Sequence, residues 1–313
     1  MLVIASKVVS IFIVMLVGFV IYKVGALGDD AVRPFTSLMM NLTCPCLIIT
    51  SLYSKEVSPS LLGETVSVMV CVFLFYIISS ALTYLFVRTA KIGNKEDIGV
   101  YMVAVAATNS GFMGFPIVKA LYGNDMLYLM VMGNIMLNVY MMWIEPSILT
   151  IGSGTKVSAK NLLDGLKTPL VISMLIGFAM MILHIRPEGV IDETMTMIGD
   201  ITIPLSMILV GIRLGAVKYR EVISRNNIII SLFAMIIVPA LILLLVHPMG
   251  FIADSVKIIV VMTAALPTAV VSVIIAEQYG KNSVLLSELA SLTTLISVAT
   301  IPAMALILEM LYH

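Results

Sequence analysis

Two short stretches interrupt apolar sequence in a way that a simple membrane helix would not, TNSGFMGFP at residues 108–116 and TAALPTAVVS at residues 263–272. Proline has no N–H to donate and its ring clashes with the carbonyl one turn back, while glycine lowers the steric barrier to unwinding. Gly111, Gly114 and Pro116 in the first stretch and Pro267 in the second therefore predict helices broken in mid-span. In hydrocarbon, freed backbone groups are tolerated only where they face protein or a wet cavity. A half-helix that starts at such a break presents unpaired N–H groups and partial positive charge, which suits an anion. The breaks are thus the expected binding site.

Carboxylates near the breaks would decide ion coupling, because protonation must compete there with any bound ion. No acidic residue lies between Asp97 and Asp125, which leaves Glu277 with Gln278, Glu288, and Glu145 as intramembrane candidates. Glu277, Gln278 and Glu288 are the expected positions for a sodium ion or a proton, the alternatives being a salt bridge or a water-facing helix end. Asn134 and Asn138 are four apart and share one helical face. They either line the site or join helices by hydrogen bonds. Cys44, Cys46 and Cys71 have no zinc-like spacing and read as apolar fillers, and His184, His247 and His313 are scattered, so no metal site and no cofactor beyond a coupling ion is expected. There is no Gly-x-Ser-x-Gly with a histidine partner, no paired Asp motif and no His/Glu metal spacing, so an enzyme is not expected.

The elements that carry these residues are membrane spans. Of 313 residues, 60% are hydrophobic and 12% charged, with a mean hydropathy of +1.12. A soluble domain carries roughly 25% charged residues. Lys+Arg and Asp+Glu are 18 each, without a basic tail, so nucleic acid is not an expected partner. A span needs about 20 apolar residues. Ten such runs follow, near 3–23, 34–53, 61–87, 98–121, 126–150, 168–185, 195–215, 227–248, 254–277 and 284–311. The first is too long for a signal-peptide core and lacks a cleavage site, so it reads as a span. Connections are short, the longest polar one being 152–167, and no soluble domain fits. Of the 18 Lys+Arg, 13 fall after odd-numbered spans and five (Lys7, Lys55, Lys119, Arg186, Lys257) on the other side, which predicts that both termini face outward.

Landmarks recur between the halves. Pro45 in TCPCLIITSL returns as Pro204 in TIPLSMILVG, an offset of 204 − 45 = 159. Tyr122-Gly123 returns as Tyr279-Gly280, an offset of 279 − 122 = 157. Halves of five spans have opposite orientations, so residues 1–155 and 156–313 predict an inverted repeat, a design that places substrate sites near the midplane on broken helices. The fold class expected is an all-α membrane protein of ten spans with broken spans 4 and 9.

ATNSGFMGFPIVKALYGND, AALPTAVVSVIIAEQYG and IPLSMILVGIRLGAV, in this order and at these spans, resemble the auxin efflux carrier family over essentially the whole chain. That family covers plant auxin carriers and bacterial permeases for malate, malonate and similar acids. The resemblance implies a scaffold domain from spans 1, 2, 6 and 7 and a transport domain from spans 3–5 and 8–10 that moves against it like an elevator. It aligns Asn109 with the family's Asn before the first crossover. The amide would donate to a carboxylate, with Ser110 and the backbone at Gly111 completing the cradle, and Pro116 and Pro267 as the matching crossover prolines. Thr268 offers a hydroxyl just beyond its proline. By family position Pro45 and Pro204 border the site, with Thr43 and Ser206 as polar neighbours that either touch a ligand or bond their own helix carbonyls. Plant carriers have a long loop between the halves. Here that connection is short, so regulation through it is not expected.

The function expected is a plasma-membrane permease that carries a small organic anion, a carboxylate or dicarboxylate such as malate or malonate. The alternative is a sodium- or proton-coupled cation exchanger of similar fold. Its partners would be the anion, the lipid bilayer and a second copy met through the scaffold. Lys119, one turn past Pro116, either neutralises the anion or snorkels to the interface.

Overall fold

The computed structural model describes residues 2–151 and 168–312. The described residues form α-helices joined by short turns, without a β-strand among them. Among the described residues seven helices are long and apolar enough to cross a membrane, namely Ser6–Lys23, Asp30–Tyr53, Pro59–Ala90, Asn124–Leu149, Val190–Ala216, Arg225–Val246 and Ser283–Tyr312. The other three expected runs form shorter helices. The polar connection 152–167, with Lys156, Lys160 and Lys167 and the expected boundary at 155/156, lies outside the described residues.

In chain order the helices are α1 (Leu2–Lys23), α2 (Asp29–Leu38), α3 (Cys44–Tyr53), α4 (Pro59–Ala90), α5 (Ile98–Ala106), α6 (Phe115–Tyr122), α7 (Asn124–Val139) and α8 (Glu145–Leu149). There follow α9 (Pro169–Ile182), α10 (Val190–Asp200), α11 (Thr202–Ala216), α12 (Tyr219–Val222), α13 (Arg225–Leu232), α14 (Val238–Val246), α15 (Asp254–Ala264), α16 (Val270–Gln278) and α17 (Ser283–Tyr312).

Prolines shape the spans by one repeated device. Each of the four π-helical turns among the described residues, Met39–Thr43, Ser110–Gly114, Tyr140–Ile144 and Phe233–Ile237, ends two residues before a proline: Pro45, Pro116, Pro146 and Pro239. A proline deprives the carbonyl four residues back of its donor and pushes against it; the wider turn relieves the clash while keeping the span helical. Pro146 and Pro239 thus shape their spans in the same way as Pro45 and Pro116.

The chain divides into two compact units. One contains residues 2–66, 111–132 and 168–216. Within it α1 lies against α11 through glycines: a Cβ on Gly18 would run into Ile208 O, and one on Gly211 into Met15 O and Phe19 N. Close backbone approach through small residues is how membrane helices gain packing where lipid offers no hydrophobic drive. Gly177 on α9 and Gly199 on α10 seat α3 in the same way, against Leu52 and Leu47. Buried Met39, Cys44 and Leu209 form an apolar cluster there with Phe35, Phe112 and Leu170 packed around it.

The other unit contains residues 67–110, 133–151 and 217–312. Here Gly99 of α5 lets the backbone of α8 approach at Ile148 and Leu149, and Phe86 stacks on Phe233 with ring centroids 4.2 Å apart. Both interruptions, at 107–109 and 265–269, lie in this unit.

Candidate functional site

Both expected breaks are present, and their extended residues pair. α5 stops at Ala106 and Ala107 turns extended, while α15 stops at Ala264 and Ala269 is extended ahead of α16. Thr108 and Thr268 face each other as an isolated antiparallel bridge. Asn109 N donates to Pro267 O at 2.7 Å, and Ala269 N donates to Ala107 O at 2.7 Å. Pro267 therefore serves only as an acceptor, which is the one ladder role a residue without an N–H can fill. The bridge satisfies backbone groups that would otherwise be stranded in a dry interior at about 1–3 kcal/mol each.

Side chains lock this bridge. Thr268 is buried, and its Oγ1 donates to Ala104 O at 2.5 Å, capping a carbonyl that the end of α5 leaves without a helical donor. Thr293 Oγ1 on α17 lies 3.1 Å from Thr268 Oγ1 and accepts from Thr268 N at 3.2 Å. The Thr268 hydroxyl, expected to face a ligand, is in this arrangement committed to the fold. Ser110 Oγ donates to Asn134 Oδ1, and Asn138 Nδ2 donates to Asn134 O at 2.9 Å. The two asparagines thus do share a face, one holding the break and the other holding its own helix.

What remains unsatisfied sits beside the bridge. Asn109 is 7% exposed, its backbone N–H is taken, and its side-chain amide forms no hydrogen bond among the described residues. Tyr76 Oη on α4 lies beside the side chains of Thr108 and Ser110, and neither it nor Thr108 Oγ1 closes a well-aligned hydrogen bond among the described residues. Tyr76 packs on Tyr140 with centroids 5.3 Å apart, and Tyr140 Oη meets Ser80 Oγ at 2.9 Å. Sequence reasoning missed this hydroxyl face. Its signal was available in Tyr76, Ser80 and Thr83, spaced as one stripe of an apolar helix.

The carboxylates are distributed differently from the expectation. Glu277 and Gln278 are exposed at the end of α16, and Glu288 accepts from Asn227 Nδ2 at 2.8 Å. Glu145 is the fully buried one, with Oε2 accepting from Ser272 Oγ at 3.2 Å and Oε1 unpartnered.

The remaining expected residues belong to the first unit. Thr43 is buried with an unpartnered hydroxyl next to Pro45, whereas Ser206 Oγ donates to Ile203 O of its own helix at 2.9 Å. Pro204 lines a pocket of about 280 Å³ with Ser6, Lys7, Ser10 and Met207. Pro116 is buried at the start of α6, and Gly111 faces Leu170. Lys119 Nζ donates to Asp200 Oδ1 at 2.6 Å, so its charge is already paired. No cluster of three or more His, Cys, Asp or Glu suited to a metal occurs among the described residues.

A family model described as membrane transport protein matches residues 3–305. The chain belongs to the auxin efflux carrier family. Similar proteins run the length of this auxin efflux carrier family member. An uncharacterised transporter of Methanothermobacter thermautotrophicus is 22% identical over 97% of this chain and 98% of its own. One of Methanocaldococcus jannaschii is 22% identical over 94% and 95%, and one of Escherichia coli 21% identical over 86% of each. The family, with the seven apolar helices among the described residues, makes this chain a multi-pass membrane transport protein.

Proposed function

We propose that the protein is a secondary transporter of small organic anions, a permease for a carboxylate or dicarboxylate such as malate or malonate. The observation that carries this reading is the Asn109 amide, which forms no hydrogen bond among the described residues, held beside the Thr108–Thr268 bridge and next to the Tyr76 and Thr108 hydroxyls. The Asn109 amide and the Tyr76 and Thr108 hydroxyls can each donate to the oxygens of a carboxylate, which when ionised has acceptors only. Glu277 and Glu288, on which the exchanger reading rested, make no hydrogen bond to the bridge residues among the described residues.

In this reading the chain has ten spans in a 5+5 inverted repeat, with both termini on the outer face of the plasma membrane. Spans 3–5 and 8–10 move against spans 1, 2, 6 and 7 as an elevator, and two copies associate through the latter. Ser110, Gly111, Pro116, Pro267 and Thr268 shape the cradle, Asn134 and Asn138 support it, and Thr43, Pro45, Pro204 and Ser206 border the anion's route.

A thermal-shift screen of the purified protein against acetate, malonate, malate and citrate tests the substrate class. A ligand at 100 times its Kd stabilises the native state by about 2.7 kcal/mol. Malate or malonate should raise Tm in a saturable manner, and saturable uptake into vesicles should follow. A screen in which only sodium or potassium shifts Tm would replace this reading with the cation exchanger.

A further inference from the structure

Glu145 is 0% exposed, at the start of α8, where the wide turn Tyr140–Ile144 ends. α5 and α16 pack against it, together with that turn. None of these elements carries a lysine or arginine. Of their titratable groups, Tyr140 faces Glu145 from one turn back, Tyr101 is turned toward Asp97 and Glu288, and Glu277 is exposed at the far end of α16. An ionised carboxylate in such a place has no counter-charge, and leaving one unpaired out of water costs several kcal/mol. A metal cation would need several oxygen ligands, whereas the side-chain oxygen bonded to Glu145 is that of Ser272 alone. A single proton requires only the unpartnered Oε1.

We infer that Glu145, held by Ser272, is a buried proton site that couples proton movement to movement of the organic anion; the coupling, though not the site, rests on the function proposed above. A short chain of bonds joins it to the bridge. Ala269 N donates to Ala107 O at 2.7 Å, Ser272 N donates to Ala269 O at 3.2 Å, and Ser272 Oγ donates to Glu145 Oε2 at 3.2 Å. An anion that pulls on the bridge displaces the first turn of α16, and with it the donor on Glu145. Opening that contact to water lets Oε1 release its proton and the carboxylate take up its charge in solvent; closing it reverses the exchange. The atoms balance as one proton passed between Glu145 and water.

Infrared difference spectra of the full chain in phosphatidylcholine vesicles, taken as bulk pH is raised and lowered, read the C=O stretch of a protonated carboxylic acid without needing a substrate. The wild type should show a titrating acid band that Glu145→Gln abolishes. Gln preserves the shape and can still accept from Ser272. Ser272→Ala should move the band to higher frequency, because the C=O loses its donor. A band unchanged in Glu145→Gln overturns the site, as does a carboxylate signal that answers sodium in place of pH. In vesicles loaded with a pH-sensitive dye, malate flux should carry protons in the wild type and none in Glu145→Gln. Equal proton movement in both at equal malate flux overturns the coupling. If the wild type moves no malate, the anion reading fails while the infrared titration still decides the proton site.

Discussion

Replacing Asn109 with alanine separates binding from folding more cleanly than any other change at the bridge. Its backbone N–H bonds Pro267 O and survives the substitution. The side-chain amide has no protein partner among the described residues, so its removal leaves no buried acceptor stranded. Stability should therefore change by less than about 1 kcal/mol, within the range of a substitution that breaks no contact. A bound carboxylate loses a charge-assisted hydrogen bond of about 1.5–3 kcal/mol, which at about 1.4 kcal/mol per decade is roughly a 10- to 150-fold rise in Kd. Titration calorimetry with malate in detergent, next to a thermal unfolding curve of each protein, measures both quantities. An unchanged Kd with unchanged Tm would refute the placement of the anion at the bridge. A fallen Tm would refute the argument that the amide is idle in the fold.

Thr268→Val keeps the shape but strands Ala104 O, and should lower stability by about 1–3 kcal/mol, while Thr268→Ser restores it; thermal unfolding reads the difference. Gly211→Val forces a side chain against Met15 O and should cost about 1–3 kcal/mol or more by overpacking, seen as a lower Tm, whereas Gly63→Ala meets nothing within 4 Å and should be silent. Lys119→Met should cost no more than about 1 kcal/mol, because its partner Asp200 is 55% exposed and the pair is screened. Malate affinity should also persist in Lys119→Met, since the charge is already held by Asp200; a large loss of affinity would return Lys119 to the substrate site.

Much of this protein was legible along the chain because its rules are local. Apolar runs of span length, prolines without a donor and glycines that lower the barrier to unwinding act within one turn of themselves, so the spans and both breaks could be located residue by residue. The expectation of an anion rested on the same local fact, that a broken helix leaves N–H groups in need of acceptors. What the linear order does not carry is which polar group meets which. Thr268 and Asn109 were both candidate ligand contacts in sequence; the approach of Ala104 and Thr293 commits Thr268 to the fold, while the Asn109 side chain bonds none of the described residues. Glu277, Glu288 and Glu145 all sit in apolar surroundings by sequence, yet burial is a property of neighbours. It takes α5 and α16 closing over α8 to bury Glu145 completely, while Glu277 stays exposed and Glu288 finds Asn227. The sequence alone determined where the helices break and that a membrane surrounds them. Tertiary packing decided which donors and which carboxylate remain unsatisfied, because satisfaction depends on partners brought from distant positions of the chain.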